Sequence, residues 1–264
     1  MDASPSTLLS NAAVDMAKYE ALYKHFHQNP ELSNMEEKTA QKVAEELSKL
    51  QSFSITTGIG GHGLIGTFQN GQGNTILLRS DMDALPIKET TGLEYASSVK
   101  MEDANGVMQP VMHACGHDGH TSMLLGAAQY LAETRNFDGT CVVIFQPAEE
   151  GGGGGREMVE DGMMDRWGIQ EVYGMHNWPG VPVGQFQIRA GGFFAATDQF
   201  DLTIEGKAAG LVLPFCNSAA MTLHLKEISG AVAPDAHAVV VMDQAGWHMT
   251  SKLKVPANIS IVAL

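Results

Sequence analysis

The chain has 264 residues, 44% of them hydrophobic, which excludes an intrinsically disordered chain and allows one large domain or two small ones. Thirty acidic side chains against sixteen basic ones leave a net charge of −14, which excludes nucleic acid as partner of the whole chain, because phosphate binding needs a basic surface. The three cysteines (Cys115, Cys141 and Cys216) imply no disulfide framework, no secretory leader is visible, and no stretch approaches the ~18 apolar residues that span a bilayer, so a cytoplasmic protein with no membrane partner is expected.

The first predicted element is a helix from about Ser10 to His27, closed by Asn29-Pro30. A second runs from Met35 to Leu50, with Ala40, Val43, Ala44, Leu47 and Leu50 at helical spacing. A glycine-punctuated hairpin follows over Ile55 to Phe68. Thr75 to Arg79 reads as a buried strand ending at Ser80-Asp-Met-Asp83. Asp118 or Thr121 is placed to cap a helix reaching about Thr134. Cys141 to Phe145 is a second buried strand, ending at Gln146-Pro-Ala-Glu-Glu150, and after five glycines Arg156 to Met164 looks helical. Val172 to Met175 reads as a third buried strand, ending at His176-Asn177. Strands alternating with helices predict an α/β fold, a mostly parallel sheet flanked by helices. Ligands of such sheets bind beyond the carboxyl ends of the strands, where this sequence puts Asp81 and Asp83, Glu149 and Glu150, and His176.

Met112-His-Ala-Cys-Gly-His-Asp-Gly-His120 adds His113, Cys115, His117 and His120 as candidate ligands of a zinc-like dication. No second paired set such as C-x-x-C exists, so a mixed set of thiolate, imidazole and carboxylate points to a catalytic rather than a structural ion. Adjacent residues leaving a strand point to different sides, so Glu150 is assigned to the ion and Glu149 to general base chemistry. The glycines at 151 to 155 let the backbone turn beside them. Other candidates have plainer readings. His25 and His62 are read as structural, Cys141 as core, and Asp118 as a possible helix cap only. Glu36-Glu37 and Glu45-Glu46 are expected to face solvent.

Five segments carry a resemblance: His27-Gln-Asn-Pro-Glu31-Leu-Ser, Arg79 to Ile87, Met112 to Thr121, Phe145 to Gly151, and Gly174-Met-His-Asn-Trp-Pro179. Over residues 1–207 the chain resembles the dinuclear metallopeptidases and amidohydrolases of aminoacylase and carboxypeptidase type. The nearest branch holds hippurate hydrolase, N-acetyl-diaminopimelate deacetylase and the indoleacetyl-amino-acid hydrolases. The resemblance implies two divalent metal ions (zinc, manganese or nickel) on Cys115, His117, Glu150 and His176, with Glu149 as catalytic base. Asp83 is similar to the family's aspartate that orients a metal-binding imidazole, and Asp118 is grouped with it as a support behind the ligands. The implied substrate is an N-acyl amino acid or small peptide. The implied fold is an α/β catalytic domain with an inserted α+β lid that forms a homodimer.

The resemblance changes after Lys207. Phe200 to Lys207 is similar to the first lid strand, but the family's glycine-histidine motif is replaced by Ala208-Ala-Gly-Leu-Val-Leu. Leu211 to Asn217, His237 to His248 and Leu253 to Leu264 instead resemble a DDE-type insertion-sequence transposase, an RNase H-like fragment in which a strand Ala238–Met242 would deliver Asp243. The expected organisation is an incomplete catalytic domain at 1–192, the start of a lid at 193–207 and a transposase-like tail at 208–264, the alternative for the tail being a divergent lid. The tail's charges balance, which argues against a DNA-binding face. Impaired turnover, unpaired strand edges and uncovered apolar faces are the expected consequences.

Overall fold

The computed structural model describes residues 14–192, 202–204, 207–209, 218–234, 236–242 and 251–263. The chain divides into two compact units, Met1–Gly180 and Val181–Leu264.

In the first unit, helix α1 (Met16–Gln28) begins where the Asp15 carboxylate accepts the amides of Ala17 and Lys18 at 3.1 and 3.3 Å. The expected start at Ser10 lies outside the described residues. Helix α2 (Glu37–Ser48) is capped from a distance, by the Glu31 carboxylate on the amides of Thr39 and Lys38. Strands β1 (Ser54–Ile59) and β2 (Gly63–Asn70) form the expected hairpin. β3 (Thr75–Asp81) follows, then the short pair β4 (Lys100–Glu102) and β5 (Met108–Pro110). Helix α3 (His117–Thr134) leads to β6 (Gly139–Gln146). The helix expected at Arg156–Met164 is two, α4 (Gly154–Glu160) and α5 (Met163–Arg166), because Gly162 breaks it at φ 82. β7 (Glu171–Gly174) closes the unit.

The sheet order is β1-β2-β6-β3-β7. β6, β3 and β7 are mutually parallel, and the β1–β2 hairpin joins antiparallel to β6. Alternation along β6 builds two cores. Cys141, Val143 and Phe145 pack under α1, α2 and α3, with Leu22, Phe26, Val43, Leu47, Leu124 and Leu125. Val142 and Ile144 face Met158 of α4 and Met163 of α5. Helices therefore cover both faces, as the alternation of elements predicted.

One strand departs from expectation. β7 is an edge strand paired only with β3 among the described residues, and Val172 and Tyr173 are each 54% exposed rather than buried. Its apolar composition reflects a sheet position that lacks a second neighbour here. Met175 and Trp178 continue this exposed apolar edge.

In the second unit, β8 (Leu202–Ile204) and β9 (Lys207–Ala209) pair antiparallel. Helix α6 (Ser218–Ala231) packs Leu225 and Ile228 on a parallel pair, β10 (Ala238–Met242) and β11 (Ile259–Ala263). The strand expected at Ala238–Met242 is present; Asp243 and Cys216 lie outside the described residues. No described helix is long and apolar enough to cross a membrane.

Leu47 is fully buried between α2 and the sheet. Replacing it with alanine is expected to lower unfolding free energy by about 2–5 kcal/mol, read from urea denaturation of the whole chain.

Candidate metal centre

Because β6, β3 and β7 run parallel, their C-terminal ends open on one edge of the sheet. Asp81 ends β3 and Asp83 lies just beyond it; Glu149 and Glu150 follow β6, and His176 follows β7. Cys115 precedes α3, whose first residue is His117. Between them Gly116 holds φ 95, and a Cβ there would lie 2.5 Å from the Asn177 side-chain oxygen, so only glycine lets this turn approach the β7 segment.

His117 is the centre of the arrangement and is fully buried. Its Nδ1 lies 2.9 Å from the Asp83 carbonyl oxygen and 3.2 Å from Asp83 Oδ1. Both are acceptors, so Nδ1 carries the proton and Nε2 is turned toward the other candidates. Glu149 Oε2 and Glu150 Oε1 each lie 3.8 Å from Nε2, and Asp81 Oδ2 lies 3.6 Å away. Cys115 Sγ is 3.4 Å from His176 Nε2. Ligand atoms of Cys115, His117 and Glu150 lie within 4.8 Å of one another, and so do those of Asp81, His117, His120 and His176. The structure thus brings together all four residues assigned to the ions.

The electrostatics of this pocket favour positive charge. Burial opposes a charged His117, yet the hydrogen bond to Asp83, the Cys115 sulfur and the carboxylates of Asp81 and Asp83 outweigh it, and its pKa rises to about 11. Burial and the charges of Glu149 and Asp83 push the Glu150 carboxyl up, against the lowering effect of Cys115 and His117. The nearness of His117 lowers the Cys115 thiol, but burial and the Glu150 charge outweigh it and the thiol is raised. His117 Nε2 and Glu150 Oε1 are buried without a hydrogen-bond partner. Two buried, unpartnered atoms, a thiol within 4.8 Å of both residues' ligand atoms and a surplus of carboxylates fit a divalent cation. Cys115, His117, Glu150 and His176 would hold it, with His117 shared between the two groupings.

Glu149 differs from Glu150 mainly in exposure, its side chain being 38% exposed against 18%. Both carboxylates lie 3.8 Å from His117 Nε2, so exposure is what separates them. Asp83 sits where the orienting aspartate was expected, bonded to His117 and also accepting from Ser33 Oγ at 2.6 Å.

Asp118 is placed differently from its expected positions. It does not cap α3; that helix starts from Gly116, and Asp118 lies in its first turn. Its Oδ2 is 2.7 Å from Nδ1 of buried His27, whose Nε2 is 3.0 Å from Glu89 Oε1. Asp118 therefore braces the start of α3 through His27 rather than through a ligand. His27 and Glu89 escaped sequence reasoning because nothing in their spacing reveals a contact between distant segments. His120, a candidate ligand, is bonded to Asp81 Oδ1 at 2.7 Å and to Asn177 Oδ1 at 2.8 Å. Burial opposes ionised Asp81, but His120, Arg79 and His117 hold its carboxyl well below the usual range. His113 belongs to neither ligand grouping; burial drives its pKa down to about 4 and keeps it neutral. Two solvent-facing assignments are corrected: Glu36 is fully buried, and Glu46 is buried between Lys42 and Lys49 at 2.9 and 2.6 Å. Glu36 is the N-cap residue of α2 and accepts the distant Ala148 amide, while Glu46 is covered by lysines of its own helix end.

A family profile, peptidase family M20/M25/M40, matches residues 77–262. The chain belongs to this family. Hippurate hydrolase of Campylobacter jejuni is 40% identical over 191 residues, 72% of this chain and 47% of the relative. N-acetyl-L-cysteine deacetylase of Bacillus subtilis is 41% identical over 196 residues, 72% of this chain and 44% of the relative. Among solved structures, the Bacillus subtilis YXEP protein, a dinuclear metal binding peptidase from the M20 family, superposes with a TM-score of 0.57 at 37% identity. That match covers 64% of this chain and 45% of the YXEP chain. The chain spans about half the length of the curated relatives it matches. Membership in the M20 family accounts for the catalytic-domain fold.

The His27 bridge makes a pH prediction. Burial opposes its protonation, but the hydrogen bonds to Glu89 and Asp118 outweigh burial and raise its pKa above the ordinary 6.5. A raised base contributes stability that is complete below the unfolded value and is lost as pH rises through the folded one. The unfolding free-energy gap between wild type and His27→Gln should therefore be full below the ordinary 6.5 and narrow as pH rises above it through the higher folded value, and a constant gap contradicts the bridge.

Proposed function

We propose that this M20 chain carries the ion-binding half of a metal-dependent amidohydrolase that cleaves the amide bond of N-acyl amino acids or small peptides. The observation that carries the reading is the buried, unpartnered pair His117 Nε2 and Glu150 Oε1 beside Cys115. Two divalent ions, zinc, manganese or nickel, are assigned to Cys115, His117, Glu150 and His176. Bound there, such an ion lowers the pKa of water and polarises an amide carbonyl. The remaining roles belong to side chains. Glu149, on the more exposed side, takes a proton from the attacking water and returns it to the leaving amine. Asp83 holds the His117 ring through Nδ1. Asp81 and His120 fix Asn177, the neighbour of His176. Asp118 steadies the turn that presents His117. The names of the hippurate hydrolase and deacetylase relatives support the substrate class.

A second reading is a metal-binding remnant without turnover, its tail derived from a transposase. One observation favours it: after Lys207 the sequence leaves the glycine-histidine motif of the lid. We assign the boundaries at 192 and 207 on the same motifs, the reaction to the cytoplasm, and no role to nucleic acid or membrane.

Purified chain 1–264 is expected to bind zinc yet turn over hippurate or N-acetyl amino acids well below the Campylobacter jejuni relative assayed alongside. Equal turnover would overturn the impairment. Glu149→Gln should remove whatever metal-dependent turnover remains, by about 100-fold or more, while leaving zinc content unchanged; zinc loss instead would make Glu149 a ligand.

A further inference from the structure

Building on the metal-centre reading, we propose that Glu36 is a positioning residue that sets the peptide carrying Glu149 and Glu150. Its Oε1 accepts the amide of Ala148 at 2.7 Å. On the other side of Glu149, the amide of Glu150 donates to Asp83 Oδ2 at 2.9 Å. The two amides that flank Glu149 are thus each held by a buried carboxylate.

The local backbone explains why a clamp is needed. Ala148 holds φ 49, a left-handed conformation that a residue with a Cβ keeps only where its surroundings impose it. Two residues from an ordinary strand end, the chain must reverse here so that Glu150 turns inward and Glu149 outward. Glycines let the loop close on itself: a Cβ at Gly154 would collide with the Pro147 carbonyl oxygen. With the Ala148 amide released, its φ relaxes and the Glu149–Glu150 peptide rotates with it.

Besides Ala148, Glu36 meets only its own amide and that of Asn34, in the turn before α2. It is fully buried, a costly place for a carboxyl, and the first turn of α2 is already capped by Glu31. Its Oε2 is buried without a hydrogen-bond partner. Burial raises its pKa, against the lowering effect of the amides of Ala148, Glu36 and Asn34. The same short segment also supplies Ser33, which donates to the second clamp, Asp83. The connection between α1 and α2, which contains none of the assigned ligands, therefore supports both sides of the Glu149 peptide.

The test compares zinc affinity of the whole chain, by chelator competition, in wild type, Glu36→Met and Glu36→Gln. Methionine matches the size of glutamate but offers no oxygen; glutamine keeps an acceptor for the Ala148 amide. Glu36→Met should weaken zinc about tenfold or more and alter the visible spectrum of the cobalt-substituted chain, while Glu36→Gln stays within about threefold of wild type with an unchanged spectrum. Folded Glu36→Met binding like wild type overturns the inference. So does folded Glu36→Gln weakened by about tenfold, which decides the matter even where Glu36→Met fails to fold. Wild type that binds no zinc defeats the metal-centre reading itself, a separate outcome.

Discussion

Four carboxylates surround one buried imidazole. Asp81, Asp83, Glu149 and Glu150 all come within 4 Å of a His117 ring nitrogen, on the carboxyl edge of three parallel strands. Like charges so close, screened from water, repel unless positive charge sits among them. A proton on His117 is one such charge, and against burial these carboxylates push its pKa up to about 11. A divalent cation would supply such charge too: Cys115 and Glu150 cluster with His117, His176 clusters with His117 in a second grouping, and Cys115 Sγ lies 3.4 Å from His176 Nε2. The parallel register creates the site, and the charge balance gives it a specific need.

The candidate ligand residues are held by buried polar supports from other segments. Asp83 fixes His117 and the Glu150 amide, Glu36 fixes the Ala148 amide, and Asp81 with His120 fixes Asn177. Each support comes from a different segment from the group it holds, so the site is a product of tertiary packing rather than of local geometry. The rigid elements beneath are the two cores on either side of β6. The open side is β7, whose exposed apolar residues mark a sheet edge made for a neighbour.

Much of this was legible in the sequence, for a definable reason. Strand ends that deliver Asp81, Asp83, Glu149, Glu150 and His176 show through because apolar runs and polar stops alternate along the chain. The ligand turn shows through because Cys115 and His117 are sequence neighbours. Glu36 and Glu46 did not, since an adjacent acidic pair on a helix looks the same whether it meets water or a buried amide. His27, Glu89 and Asp118 form a contact between segments 62 and 91 residues apart, which no local pattern records. The exposure of β7 was missed for the opposite reason: its composition describes a strand with two neighbours, and one is present here.

The most direct test is X-ray absorption on the zinc-loaded chain. A thiolate-bound ion gives a sulfur scatterer at about 2.3 Å alongside nitrogen and oxygen near 2.0–2.2 Å, and the sulfur shell disappears in Cys115→Ser. Zinc surrounded only by nitrogen and oxygen in the wild-type chain, with a spectrum unaltered by that substitution, would contradict the convergence of Cys115, His117, Glu150 and His176 on a common ion.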